Sequence, residues 1–402
     1  MEIKSRGRAI ELCAGMGGIG LGLRGLGYEV GRAFDSWDQA VAIYNHNFGE
    51  ESAEECNLLS AAGRTRVSEV AKSLGDIELL AAGPPCKGFS QLRNGRHDGR
   101  NGHNRVLAAM PDYIATIRPR VFLIENVPEL LKHRKGQTFR DLLPRLEKPA
   151  DGLKYCVTHG VFDAALFGTP QARRRVLILG VREGEELALP KPGPDLMPLY
   201  AALRHGTRRD VPEALRPHLA QLDDPNDLVL TTAKQALSDL PVLQPGSLTN
   251  ETAYWSEART AFQQWIRKGA DSERVRDMRP PGITPKAEAR LEFIDPGKSA
   301  RSIPKEQLNG LSRRYDSAYR RLHPDVPSTS LSTKYDCVYH YTQPRSLSVR
   351  EYARLQGIPD RVTFPDKHAC RRSAYEMIGN SVPPRLIEGV LGEALRIAEH
   401  ET

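Results

Sequence analysis

The sequence predicts an α/β chain: a doubly wound sheet joined to a second, less regular domain. Three observations predict it. Short apolar runs alternate with helix-like stretches up to about residue 180. From about Arg182 to Gln343 the chain turns rich in Pro, Arg and Asp, and helical order returns after that. Strands alternating with helices of this length argue for a parallel, doubly wound sheet.

Strands are expected at Ala9–Cys13, Val30–Phe34, Ile77–Ala82, Val121–Ile124 and Val176–Val181, each short, apolar and bounded by Gly, Pro or charge. Helical spacing covers Gln39–His46, Gly63–Leu74, Arg105–Ile117 and Gln137–Leu146. The middle stretch holds Pro190, Pro192, Pro194, Pro198, Pro280, Pro281 and Pro285 with weak periodicity. Beyond it, Ser348-Val-Arg-Glu351 is a capping box opening a helix that stops at Gly357 and Pro359. A last helix starts after Pro383-Pro384 and lines up Leu386, Ile387, Val390, Leu391, Ala394 and Leu395 on one face. The domains expected are therefore 1–185, 186–345 and 346–402, with the last helix (about 379–398) returning to the first domain.

Of 402 residues, 40% are hydrophobic and 27% charged, which excludes wholesale disorder. No apolar run approaches the ~18 residues of a membrane span, and no apolar segment follows Met1–Arg8 as in a secretory signal. A cytoplasmic protein without a membrane partner is expected. The net charge of +7 is compatible with a polyanionic partner but decides nothing alone. Cys13, Cys56, Cys86, Cys156, Cys337 and Cys370 are scattered without a Cys-x-x-Cys pair, so neither a metal site nor a disulfide framework is expected.

Several motifs sit where strands end. Ile10-Glu-Leu-Cys-Ala-Gly-Met-Gly-Gly-Ile-Gly20 joins the first strand to a helix; Gly15, Gly17 and Gly18 let backbone approach a ligand beside free helical N–H groups. The glycine spacing is not that of a dinucleotide fingerprint. Asp35, ending the second strand, reads on its own as a helix cap before a ribose acceptor, and both readings can hold at once because a carboxylate at a strand tip faces the ligand crevice. Ala82-Gly-Pro-Pro-Cys-Lys-Gly-Phe-Ser90 presents Cys86 after a stiff Pro84-Pro85 turn, with Lys87 and nearby arginines favouring a thiolate. Arg93, Arg96, Arg100 and Arg105, interleaved with Gly95, Gly99 and Gly102, read as a basic lid over a phosphate backbone or as a solvated loop. Glu125 and Asn126 end another strand, where a carboxyl is a candidate general acid or a plain strand-end cap. Gly168-Thr-Pro-Gln-Ala-Arg-Arg-Arg175 and Ile378-Gly-Asn-Ser-Val-Pro-Pro384 complete the series.

Together, in this order, these motifs and Ser-Val-Arg-Glu-Tyr-Ala-Arg-Leu-Gln-Gly resemble those of the cytosine-C5 DNA methyltransferases, over about residues 8–181 and 326–402. The resemblance implies a doubly wound mixed sheet of the S-adenosylmethionine-dependent methyltransferase type, with the unmatched middle as a smaller, irregular target-recognition domain. It implies S-adenosylmethionine on Leu12, Cys13, Ala14, Gly15, Gly17 and Gly18. Asp35 would stand at the ribose, Asn57 near the adenine, Pro85 beside the site, and Asn380 and Ser381 near the methionine end. Cys86 becomes the nucleophile, Glu125 the group at cytosine N3, and Arg173 and Arg175 the supporting cations. Ser90, Arg93, Arg96, Arg100 and Gln171 would contact double-stranded DNA. Glu11 and Cys13 stand where the family commonly has Asp and Phe, Asp35 where it usually has Glu, and Asn57 where it usually has Asp.

The implied partner is duplex DNA, read by a monomer, with a cognate restriction endonuclease as an option. A tRNA cytosine-C5 methyltransferase is the nearest alternative; its Cys-Phe-Thr signature is absent, and the stretch from Arg182 to Gln343 favours a DNA reader. A catalytically inactive nucleic-acid-binding relative is the other alternative, against which Cys86, Glu125 and Arg175 argue.

Overall fold

The computed structural model describes residues 5–85, 102–204, 213–216, 218, 230–307 and 319–401. They fall into two compact units: Met1–Phe162, Arg174–Gly193 and Val382–Thr402 form the first, Asp163–Arg173 and Pro194–Ser381 the second.

The first unit is built on a seven-stranded sheet. In chain order its strands are β1 (Arg8–Leu12), β2 (Glu29–Asp35), β3 (Ala53–Glu55), β4 (Leu79–Ala82), β5 (Val121–Asn126) and β6 (Tyr155–Asp163). After the short β7 (Gln171–Ala172) comes β8 (Arg174–Arg182), and the sheet order is β3-β2-β1-β4-β5-β8-β6. β1 to β5 pair in parallel, whereas β8 runs antiparallel to β5. The sheet is therefore mixed.

Helices α1 (Gly18–Gly25), α2 (Asp38–Phe48), α3 (Ala61–Leu74), α4 (Gly102–Ala108), α5 (Met110–Ile117) and α6 (Gln137–Glu147) connect the strands. Every residue of β4 and β5 is buried, as central strands covered on both faces must be. Side chains alternate across the sheet. Ile10, Leu12, Phe34, Leu80, Ala82, Phe122 and Ile124 point to one face and pack with Val67, Val70, Met110, Ile114, Phe139 and Leu142 from α3, α5 and α6.

Two strands of this sheet escape the sequence reading. β3 has three residues, too few to show a period. β6 ends the sheet and keeps exposed or half-buried positions, so it lacks a continuous apolar run. The single helix expected over Arg105–Ile117 is two helices, α4 and α5, because Pro111 in the first turn of α5 lacks the N–H that would continue the ladder.

The second unit consists of short pieces: α7 (Met197–Arg204), α8 (Ala233–Leu237), α9 (Ala261–Ile266), α10 (Pro285–Leu291), α11 (Val349–Leu355) and α12 (Arg371–Asn380), with a two-stranded antiparallel ribbon of β9 (Glu251–Ala253) and β10 (Arg274–Arg276). α8, α9 and α11 each carry a complete capping box, opened by Thr232, Thr260 and Ser348. α11 is buried along its whole length, and Gly357 (φ 77°) ends it. The last helix, α13 (Pro384–Glu401), belongs to the first unit and packs on α1.

Candidate active site

After β1 the chain turns through Cys13 (φ 54°), Gly15 (φ 55°) and Gly17 (φ 93°) into α1. Ala14 N donates to the Phe34 carbonyl at 3.1 Å. Asp35, at the end of β2, accepts from Gly15 N at 2.7 Å and, through its other oxygen, from Trp37 N at 2.9 Å. Burial pushes the Asp35 carboxyl up and these backbone N–H groups oppose the shift. With Ser36 N–H as a third backbone donor, the carboxylate still keeps acceptor capacity for a ribose hydroxyl, since two oxygens offer about four lone-pair sites. Position 17 demands glycine, since a Cβ there would lie 2.7 Å from the Phe48 ring and 2.9 Å from Tyr44. Above Gly15 the opposite holds: a Cβ would meet nothing within 4 Å, so the turn lies open.

The first N–H groups of α1 have no intrahelical partner and favour an anionic end on a ligand. The turn thus fits a molecule with a carboxylate and sugar hydroxyls, such as S-adenosylmethionine. Leu12 and Ala14 are buried, and burial pushes the Cys13 thiol up, so it stays neutral. Asn57 is exposed; its Oδ1 accepts from Leu59 N at 3.0 Å and its carbonyl accepts from Ser60 Oγ at 2.8 Å.

A second cluster lies where β4 and β5 end. Asn126 Nδ2 donates to the Pro84 carbonyl at 3.1 Å, tying the tip of β5 to the turn through Gly83, Pro84 and Pro85. Beside it, Arg175 Nε stands 2.7 Å from Glu125 Oε1, with both side chains nearly buried. A Cβ on Gly83 would lie 3.7 Å from the Cys13 carbonyl and 3.8 Å from Glu125 Oε2. The turn after β1, the Glu125 carboxylate and the turn that leads toward Cys86 therefore converge within a few ångströms. Cys86, Ser90, Arg93, Arg96 and Arg100 themselves lie outside the described residues.

The remaining expected residues fall in the second unit. Gln171 is buried: its amide donates to the Leu355 carbonyl (3.1 Å) and Gln356 Oε1 (2.6 Å) and accepts from Leu331 N (2.9 Å). This bonding makes it a packing group in this conformation rather than a surface reader. Arg173, also buried, donates to the carbonyls of Leu331 (3.3 Å), Gly379 (2.7 Å) and Ser381 (3.1 Å). Asn380 is exposed at the end of α12, and the Ser381 carbonyl also accepts from Gln356. Among arginines of the middle region, Arg321 is committed to the carbonyls of His340, Ile294 and Thr342, and Arg279 pairs with Asp366. Arg274 and Arg276 are exposed and share Glu251, while Arg313 and Arg314 lie outside the described residues.

Sequence reasoning passed over Asn126 as a tether and Glu11 as a buried carboxylate. A polar residue inside an otherwise apolar strand was the available signal for Glu11. Among the described residues no group of acidic, Cys and His side chains suits a metal, and no helix is long and apolar enough to cross a membrane.

A mixed sheet with an open glycine turn after its first strand, and a carboxylate beside a Pro-Pro turn, is the arrangement expected of the S-adenosylmethionine-dependent methyltransferase class. The chain belongs to the C-5 cytosine-specific DNA methylase family, whose family model matches residues 7–396. Among curated relatives it is 27% identical to the type II methyltransferase M.AgeI of Thalassovita gelatinovora, over 97% of this chain and 99% of that one. It is 24% identical to the type II methyltransferase M1.HphI of Haemophilus parahaemolyticus, over 98% and 87%. Its fold is similar to that of a prophage-encoded E. coli protein described as a DNA modification methyltransferase, with TM-score 0.70, 20% identity and 98% and 99% of the two chains covered.

Proposed function

We propose that this enzyme transfers a methyl group from S-adenosylmethionine to C5 of a cytosine flipped out of a specific duplex DNA sequence. The observation that carries the reading is the Glu125–Arg175 pair, 2.7 Å apart beside the turn that leads to Cys86, in a chain of the cytosine-methylase family. In this reading the open turn, with Asp35, Asn57 and Pro85, holds the cofactor, which supplies an electrophilic methyl on a sulfonium.

Cytosine C5 is a poor nucleophile until C6 carries an added group. The Cys86 thiolate forms a bond to C6, and the displaced electron pair moves through the ring toward N3, where Glu125 delivers or shares a proton. C5 then takes the methyl. Loss of the C5 proton returns the electron pair to the ring and breaks the C6–S bond, releasing Cys86 as thiolate while the N3 proton goes back to Glu125. Arg175 orients the Glu125 carboxylate, and Arg173 acts through the Gly379 and Ser381 carbonyls. The ring face is closed off within a duplex, so the base must leave the stack. Ser90, Arg93, Arg96 and Arg100 would contact the DNA, and the region 186–345 would read the sequence.

The type II relatives make a cognate restriction endonuclease a natural partner. Bisulfite sequencing of DNA from cells expressing wild type and Cys86→Ala tests the reading. Protected cytosines in one sequence context, with wild type alone, are expected. Unmodified DNA alongside methylated tRNA would overturn it.

A further inference from the structure

Helix α1 starts on a residue without a side chain. Its N-cap is Gly17, so the oxygen that ordinarily accepts from the third helical N–H cannot come from the cap itself. It comes from the preceding strand. Glu11 on β1 accepts from Gly20 N through Oε1 at 3.1 Å, and its Oε2 accepts from Tyr44 OH at 3.1 Å. Tyr44 in turn accepts from Arg24 Nη1 at 3.1 Å, and the Arg24 guanidinium lies 4.4 Å from the Phe48 ring centroid. Glu11 is fully buried. Position 20 is shaped to this carboxylate: a Cβ there would lie 2.4 Å from Glu11 Oε2 and 2.9 Å from Tyr44 Oη.

We propose that Glu11 is a positioning residue for the cofactor turn, capping α1 from β1 and requiring glycine at position 20 to do so. The inference rests on the reading of this turn as the S-adenosylmethionine site. The turn holds three residues at positive φ, a conformation that L side chains resist and that surrounding contacts must impose. Asp35 fixes its start through Gly15 N, and Glu11 fixes its end through Gly20 N. With the third N–H taken by Glu11, the first two N–H groups of α1 remain for the ligand. Burying a carboxylate is costly unless it is hydrogen-bonded, and here three polar partners form a chain behind the turn.

The test is a mutant cycle on the full chain, read by calorimetric binding of S-adenosylhomocysteine and by melting of the unliganded protein. Glu11→Gln keeps an acceptor of the same length and should bind within about threefold of wild type. Glu11→Asp withdraws the carboxylate by one methylene and should weaken binding about tenfold, the size of one charge-assisted hydrogen bond. Gly20→Ala should weaken binding by at least as much. In the double variant the shorter acid makes room for the methyl, so it should bind more tightly and melt higher than Gly20→Ala alone. Single effects that simply multiply in the double variant, or wild-type affinity in Glu11→Asp, would overturn the proposal. A wild type that fails to bind the probe would overturn the cofactor reading instead, and the melting cycle would still decide the Glu11–Gly20 pairing.

Discussion

Glu125 and Arg175 meet across neighbouring strands, β5 and β8, whose antiparallel register brings the two side chains to one edge. If Arg175 works by orienting Glu125, removing either disables the same unit. Glu125→Gln should slow single-turnover methylation by about 10² or more, the lower range for a positioned acid–base group. Arg175→Ala should act similarly, and the double variant should be little worse than either. Independent, multiplying losses in rapid-quench measurements would assign Arg175 a separate role.

Glu11 gives a second prediction at this scale. Burial raises its pKa to about 7 against the opposing Arg24 charge and the Gly20 and Tyr44 hydrogen bonds, with Asp35 adding to the rise. A pKa higher in the folded state means that the native protein binds more protons between about 4.5 and 7, so this group's contribution to stability falls as pH rises through that window. Glu11→Gln removes the titration. Urea unfolding should therefore show the variant gaining on wild type from pH 5 to pH 8, by roughly 3 kcal/mol at most. A constant difference across that range would show that Glu11 does not titrate there.

At the scale of elements, α11 organises the second unit through buried charge. Arg354 donates to Asp239 Oδ1 (2.6 Å), Asp360 Oδ2 (2.6 Å) and the Ala236 carbonyl (3.0 Å), while Arg350 reaches Asp277 (3.0 Å). Arg345 makes a two-pronged bond to Glu351 at 2.7 Å. Breaking one partner of such a pair leaves a buried charge uncompensated and costs about 3–5 kcal/mol. Arg354→Leu should lower stability in urea by that amount. A loss under 1 kcal/mol would mean that Arg267 and Arg350, which also pair with Asp239 and Asp360, compensate the two acids without Arg354. Burial pushes the Glu351 acid up but Arg345 prevails and brings it to about 2, so its stabilisation is present above about 4.5 and lost as pH falls toward 2.

The capping box of α11 was legible in the sequence because Ser348 and Glu351 are three residues apart. The ion pairs were not, because Asp239 and Asp277 lie far upstream of their arginines. The same reason hides Gln171 and Arg173. They resemble surface residues in a row of arginines until Leu331, Gly379 and Ser381 arrive from 158 to 208 residues away. The strands of the sheet were readable where they are central and wholly apolar, and unreadable where they are short or at the edge.

For the whole molecule, a net charge of +7 and the basic sequence from Lys87 to Arg100 predict salt-sensitive DNA binding. Replacing Arg93, Arg96 or Arg100 by Gln should weaken binding to all sequences alike and reduce the logarithmic salt slope by about 1 per phosphate contact. A change confined to one target sequence would instead make that arginine a base reader. Exchanging the region 186–345 for that of another family member should move the methylated sequence with it. The central claim, covalent catalysis at cytosine C6, is tested most directly with a duplex carrying 5-fluorocytosine at the target. The fluorine cannot leave as a proton, so wild-type enzyme with S-adenosylmethionine should stall as a stable adduct that peptide mapping places on Cys86. An adduct on another residue, or full turnover with none, would contradict the account.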